Sequence, residues 1–139
     1  MGSALTDAIE EHVGDLWNCS QGQLPSERVR WLQIKDALLD TGATTLALPT
    51  RMIRALDLHK TNGRSTMTCG GKSRVAIFEA VRLTIMDRFC TVDVMEVPDD
   101  VPPLIGQIPL EALDLVIDSR NHRLTGNPAH GGEHIMELL

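Results

Sequence analysis

A short polar loop, Asp40-Thr41-Gly42-Ala43, sits between the apolar pair Leu38-Leu39 and the run Thr44-Thr45-Leu46-Ala47-Leu48-Pro49. Apolar flanks of this length read as buried strands. The loop between them is then a tight turn that carries a carboxylate, a hydroxyl and a glycine at one point. A buried carboxylate costs free energy unless it is hydrogen-bonded, paired or protonated. Asp40 is therefore the first candidate for a functional group. No other segment concentrates reactive chemistry in this way.

The strand reading extends outward from the loop. Val29, Trp31 and Ile34 are apolar, but the alternation slips near Leu32, as a bulge or a sheet edge makes it do. Val75, Ile77, Val81, Leu83 and Ile85 are spaced by two apart from the skipped position Glu79, and Val92 and Val94 continue the pattern within Phe89–Val97. Pro49 suits the first turn of a short helix over Thr50 to Leu58. Asn62-Gly63 predicts a turn, and Pro98 to Pro103 a loop. Leu115 to Asp118 and His122 to Leu124 flank Ser119-Arg120-Asn121 as a closing hairpin. The region from Leu5 to Val13 has helix-friendly content, with Thr6 as a possible cap. Gly126, Pro128, Gly131 and Gly132 keep the start of the tail irregular, and Ile135-Met136-Glu137-Leu138-Leu139 is an apolar end. That end either joins a second copy or covers its own subunit.

The chain has 139 residues, the size of one domain. Its hydrophobic fraction of 42% supports a core, and with two Trp, two Phe and no Tyr that core is aliphatic. The net charge of −6 argues against a nucleic-acid surface. Arg28, Arg30, Arg51 and Arg54 read as isolated, solvated positives. No secretory leader is visible, and no apolar run approaches the ~20 residues that span a bilayer. Cys19, Cys69 and Cys90 lack metal-ligand spacing and cannot all pair, which fits reduced thiols in a cytoplasmic protein. No cofactor is expected.

The stretch Ala37 to Pro49 resembles the active-site segment of the retropepsin-like aspartic proteases. Pro102-Pro103-Leu104-Ile105-Gly106-Gln107 resembles the later apolar-apolar-glycine element of that family. Each segment leads into a proline and a helix-like stretch, and the two stretches share a tetrapeptide, Ala55-Leu56-Asp57-Leu58 and Ala112-Leu113-Asp114-Leu115. Such internal similarity fits a domain of two related halves. The resemblance covers about residues 29 to 128, leaving 1–28 as an N-terminal extension and 129–139 as a tail. It implies a mostly β, small closed barrel-like fold with one or two short helices, active as a homodimer. It also implies an added strand, rather than a helix, within residues 1–28; the residues themselves leave that choice open.

The resemblance further implies an aspartic endopeptidase. That chemistry needs two carboxylates sharing one proton, one activating water and the other donating to the scissile carbonyl. Asp118-Ser119-Arg120 lacks the glycine, so Asp40-Thr41-Gly42 is the only such motif, and each of two chains has to supply one Asp40. Thr41 resembles the threonine that bonds across the dimer axis. Gly42 permits the tight turn and turns its N–H toward the carboxylate. Ala43, Thr44 and Thr45 are expected to line a peptide-binding cleft, although strand propensity explains the two threonines equally well. Ile105 is expected at the same cleft. Arg64 to Lys72, with Met67, Thr68, Cys69, Gly70 and Gly71, is placed like the family's flap hairpin. Retroviral members often carry an acidic residue and an arginine where this chain has Thr44 and Gln107. That departure points to the bacterial branch.

Two rival readings remain. His130-Gly131-Gly132-Glu133-His134 matches the H-x-x-E-H string of inverted zinc proteases, but two adjacent glycines oppose the helix that chemistry needs. No metal site is expected. The other rival is a catalytically silent, dimeric peptide-binding or assembly module of the same fold. The partners expected under either protease-fold reading are a second copy and a peptide, with no nucleic acid and no membrane.

Overall fold

The structure, a computed structural model, describes residues 4–68 and 71–134. In chain order these form β1 (Ala4–His12), α1 (Val13–Ser20), β2 (Trp31–Leu39), β3 (Leu46–Pro49), α2 (Thr50–Ala55), β4 (Lys60–Thr68), β5 (Gly71–Ile85), β6 (Arg88–Val97), β7 (Leu104–Ile105), α3 (Gln107–Ala112), β8 (Leu115–Asp118) and β9 (Arg123–Gly126). Seven strands share one sheet in the order β1-β2-β7-β3-β6-β5-β4, and β1 also pairs with β5. The last pairing closes a ring, β1-β2-β7-β3-β6-β5, with β4 attached outside it along β5. The fold is mostly β, closed, with short helices, as the sequence predicts. No helix among the described residues is long and apolar enough to cross a membrane.

The core inside the ring is aliphatic. Leu39, Leu46, Leu48, Leu56, Leu83, Ile85, Val94, Ile105 and Leu113 are all buried, and Phe78 packs at the margin. Two bulges keep the apolar residues pointing inward. Thr6 faces Ala37 but Ala8 faces Ile34, so β2 carries one extra residue. Asp36 takes the strain there with φ 58, and Asp7 Oδ1 accepts its N–H at 3.2 Å. The bulge restores Ile34, Ala37 and Leu39 to the core side. It lies four residues beyond the slip at Leu32. On β5 a second bulge falls between Phe78 and Val81, at the skipped position Glu79. Glu79 turns out of the ladder there, and its N–H donates to the His59 carbonyl at 2.9 Å.

One open choice is decided and two local expectations change. Leu5 to His12 is a strand, as the resemblance implies, because β2 and β5 pair with it on both sides; tertiary pairing overrides weak helix propensity. Residues 4–12, counted by sequence with the extension 1–28, are thus one wall of the ring. Asn62-Gly63 is not a turn but part of β4, beside a register shift between Lys60 and Asn62. The helix after Pro49 ends at Ala55, short of Leu58.

That early end repeats. Helices α2 and α3 each span six residues, and each stops at the leucine of its shared tetrapeptide, Leu56 or Leu113. The next residue is Asp57 with φ 53 or Asp114 with φ 55. Aspartate tolerates this left-handed position better than most side chains. Leu56 and Leu113 are fully buried, and Leu58 and Leu115 follow them into the core. The two halves therefore use the same helix stop and the same pair of leucine anchors. Arg30 bonds Asp57 at 2.8 Å in the first half, while Arg88 donates to the Leu113 and Asp114 carbonyls at 2.9 Å in the second.

Between β1 and β2 the chain makes an excursion through α1. His12 Nδ1 caps this helix by accepting the Asp15 N–H at 3.0 Å. Arg30 ties the excursion down with three bonds to Asp15, from its backbone N–H at 3.0 Å, Nε at 2.7 Å and Nη2 at 2.8 Å. The Arg30 guanidinium holds the Asp15 carboxyl well below the usual carboxylate range.

Leu113→Ala removes a fully buried anchor and is expected to lower the unfolding free energy by about 2–5 kcal/mol, while the half-exposed Leu5→Ala stays within about 0.5 kcal/mol; urea denaturation of the two variants checks this. Asp15 is ionised more readily in the folded state, so its contribution is present above the ordinary carboxylate range and is lost as pH falls through its lowered titration point. In Arg30→Ala the Asp15 titration observed by NMR should move up toward the ordinary value.

Candidate active site

The site is built by three short strands. β7 lies between β2 and β3, parallel to the first (Leu38↔Leu104, Leu39↔Ile105) and antiparallel to the second (Leu46↔Ile105, Ala47↔Leu104). The loop from Asp40 to Thr45 therefore wraps around the end of β7. Asp40 N–H donates to the Ile105 carbonyl at 3.0 Å, and Leu38 N–H to the Pro103 carbonyl at 3.2 Å. From the other side, Gly106 N–H donates to Thr45 O at 3.0 Å, Gln107 N–H to Ala43 O at 2.9 Å and Ile108 N–H to Thr44 O at 2.8 Å. Every one of these bonds is backbone to backbone. This clamp leaves the side chains of Asp40 to Thr44 unused.

Gly106 makes the clamp possible. A Cβ there would lie 2.6 Å from the Ala43 carbonyl oxygen and 2.7 Å from that of Thr45. Both obstacles are backbone atoms that the same hydrogen bonds hold in place. This is the close approach for which only glycine leaves room.

Within the loop, Gly42 N–H donates to Asp40 Oδ1 at 2.9 Å, and Ala43 N–H closes the turn on the Asp40 carbonyl at 3.0 Å. Gly42 is not in the left-handed region, so backbone freedom is not what requires it. A Cβ at Gly42 would press on Asp40 Oδ1 from 3.1 Å. The missing side chain leaves the carboxylate room to sit against the amide.

Asp40, Thr41 and Gly42 are exposed in the single chain. The buried strand delivers the carboxylate to the surface rather than into the interior, which corrects the sequence-based picture of a buried group. The Thr41 hydroxyl makes no hydrogen bond within the described residues. Ala43 is half-buried and Thr44 exposed beside them. Thr45 is different: its hydroxyl donates to the Asp93 carbonyl at 2.8 Å and fastens the start of β3 to β6. Ile105 is fully buried between Leu39 and Leu46. Its expected contact with a substrate is therefore corrected; it holds the Asp40 loop through its carbonyl and fills the core with its side chain.

The positions matching the family's supporting ion pair are joined in another way. Gln107 gives its side chain to Glu111 Oε1 at 2.7 Å, and its backbone N–H goes to the loop. Thr44 receives the Ile108 N–H on its carbonyl. Backbone bonds thus link the two segments without charge.

The flap segment is a hairpin in the ladder sense. β4 and β5 pair antiparallel from Lys60↔Phe78 to Thr68↔Gly71. Met67, Thr68 and Gly71 stand at its far end, while Cys69 and Gly70 lie outside the described residues. The H-x-x-E-H string forms no α-helix. Pro128–His130 is one turn of 3-10 helix capped by Asn127, and Gly131 leaves it in the left-handed region. His130 Nδ1 bonds Asp114 Oδ2 at 2.6 Å, and His134 Nε2 bonds the Ala112 carbonyl at 3.0 Å. The two histidines thus serve separate anchors. Among the described residues no group of three or more His, Cys, Asp or Glu is arranged to hold a metal. Cys19 and Cys90 are free thiols, and burial pushes the Cys90 thiol up.

A family model described as aspartyl protease matches residues 33–108, more than half of the chain and the whole of the clamped loop with its β7 partner. The chain belongs to the retropepsin-like aspartyl protease family. The solution structure of the simian foamy virus (mac) protease is similar in fold, with a TM-score of 0.50 and 16% identity over 78% of this chain and 93% of that one. No curated protein sequence matches this chain.

Sequence reasoning missed the part played by Asp93, which acts through its backbone carbonyl. A backbone acceptor leaves no signal in side-chain chemistry. Gly106→Ala is expected to destabilise the protein by about 1–3 kcal/mol or more, because the clash is with backbone, and to shift the amide resonances of residues 40–45 more than those of β1. Gly42→Ala, with its milder contact, should cost less in the same denaturation measurement.

Proposed function

We propose that the protein is an aspartic endopeptidase that works as a homodimer, hydrolysing a peptide bond between two Asp40 carboxylates. The observation that carries this reading is the clamped, outward-facing loop. Ten or so atoms of backbone hold Asp40 and Thr41 rigid at the surface, and among the described residues their functional groups have no partner apart from the Gly42 amide on Asp40 Oδ1. A carboxylate held this firmly and left open is suited to meet another group.

Two copies related by a two-fold axis bring the second carboxylate. Like charges so close cannot both ionise, so the pair keeps one proton and titrates as a unit. The ionised member takes a proton from water, and the water oxygen attacks the scissile carbonyl. The protonated member donates to the carbonyl oxygen. Collapse of the tetrahedral intermediate expels the amine, which takes up a proton as the carbon–nitrogen bond breaks. The free Thr41 hydroxyl is assigned to bonding across the axis. Ala43 and Thr44 on one side, and Met67, Thr68, Cys69, Gly70 and Gly71 of the expected flap segment, are assigned to the peptide backbone. Thr45 and Ile105 are left out of that set. The uncharged link at Thr44 and Gln107 supports placing the chain in the bacterial branch of the family.

Asp40→Asn should abolish hydrolysis of a peptide library while leaving the far-ultraviolet circular dichroism and the sedimentation coefficient unchanged. Cleavage by that variant at the wild-type rate would refute the assignment. Folded wild-type protein that cleaves nothing would favour the silent peptide-binding module instead. Activity should decline at alkaline pH as the second carboxylate loses its proton, and Thr41→Val should shift the monomer–dimer equilibrium toward monomer in sedimentation equilibrium.

A further inference from the structure

Glu10 is the one carboxylate among the described residues that is fully enclosed, with 0% of its surface exposed. It stands in β1 between Ala8 and His12, on the side that faces into the ring. Neither Oε1 nor Oε2 has a hydrogen-bond partner. Its neighbours across the sheet are Leu32 on β2 and Leu83 on β5. β1 is also the strand that closes the ring, because it pairs with β2 along one edge and with β5 along the other. An acidic group without partners therefore sits in the single seam where the barrel is shut.

The charged groups around β1 are engaged elsewhere. On the same strand, Glu11 is bonded by Arg82 of β5 at 2.8 Å, and Asp7 accepts the Asp36 N–H. His12 uses Nδ1 as the cap of α1, so its ring proton sits on Nε2, which lies 3.5 Å from Glu79 of β5. Glu79 also accepts the His59 N–H at 3.0 Å. Asp15 of α1 is held by Arg30. On β2, Lys35 and Asp36 are exposed. On β9, which packs against β1, Arg123 is exposed and lies 4.0 Å from Asp118. Among the described residues no cation is bonded to Glu10.

We propose that β1 is a proton-dependent seam: the ring closes around a neutral Glu10, and loss of its proton releases β1 from β2 and β5. An ionised carboxylate without a counter-ion in this interior carries a large desolvation penalty, which outweighs the opposing effect of its own backbone amide. The cheapest relief is exposure of β1, whose loss opens the ring while leaving β3, β6 and the clamped loop paired. Burial pushes the Glu10 carboxyl up from 4.5 to about 8. Its folded value lies above its unfolded value, so the folded state binds the extra proton between the two. Stability from this group is fully present below about 4.5 and is lost as pH rises toward about 8. The device is independent of the chemistry assigned to Asp40.

The test uses the full chain and the variant Glu10→Met, which keeps the length of the side chain and removes the proton. In urea denaturation the wild-type folding constant should fall by up to about ten-fold per pH unit across that window, relative to Glu10→Met at each pH. Parallel pH dependence in the two proteins would overturn the proposal. If Glu10→Met does not fold, the carboxyl carbon of Glu10 in carbon-13-labelled wild type decides: a midpoint near 8 supports it and an ordinary carboxylate midpoint overturns it. Amide exchange, corrected for intrinsic rate, should show protection lost above that midpoint at residues 9–11, Leu32 and Leu83 while Leu48 and Val94 keep theirs. Equal loss at both sets would mean general unfolding and would overturn the seam.

Discussion

The fold depends on one threading event. The two-residue strand β7 passes between β2 and β3, and Gly106 lets it come within hydrogen-bond distance of the Ala43, Thr44 and Thr45 carbonyls through the residues that follow. The same strand joins the two halves of the ring, because β2 and β3 do not pair with each other. It fills the core through Ile105 and holds the Asp40 loop through the Ile105 carbonyl. Barrel continuity, core packing and loop geometry thus rest on the same few atoms. This is why the residues with the most reactive chemistry can stand outside the packed interior and still be rigid.

The loop and β7 were legible because both carry side-chain signals. Asp40-Thr41-Gly42 between apolar flanks marks a strand, a turn and a strand, and Leu104-Ile105-Gly106 was legible through its resemblance to the family's later apolar-apolar-glycine element; the close backbone approach at Gly106 is the structure's addition. The repeat Ala-Leu-Asp-Leu was legible as similarity, but its reason was not. The structure supplies it: a helix stop at a left-handed aspartate, with leucines anchoring either side. Aspartate at such a position looks like any surface charge in a sequence.

What was not legible follows a common cause. β1 carries Glu10 and His12 on its inner face, so its alternation does not show apolar inside and polar outside. The bulge at Asp36 shifts the pattern of β2 only after Ile34, away from the visible slip. Asn62-Gly63 has turn chemistry but lies in a ladder fixed by β5. In each case pairing with a distant strand outweighs the local preference. The Thr45 hydroxyl bond to Asp93 and the burial of the Ile105 side chain likewise depend on strands distant in sequence.

Closure of the ring has a kinetic side. Ile9 pairs with Thr84, and Leu39 with Ile105, so the first strands of the chain wait for partners made much later. Contacts of such long sequence separation slow folding. On a ribosome, the paired β1 and β2 would emerge with their outer edges open, since β5 and β7 follow much later. Such edges are templates for pairing with other chains, so the protein's most exposed moment comes during synthesis.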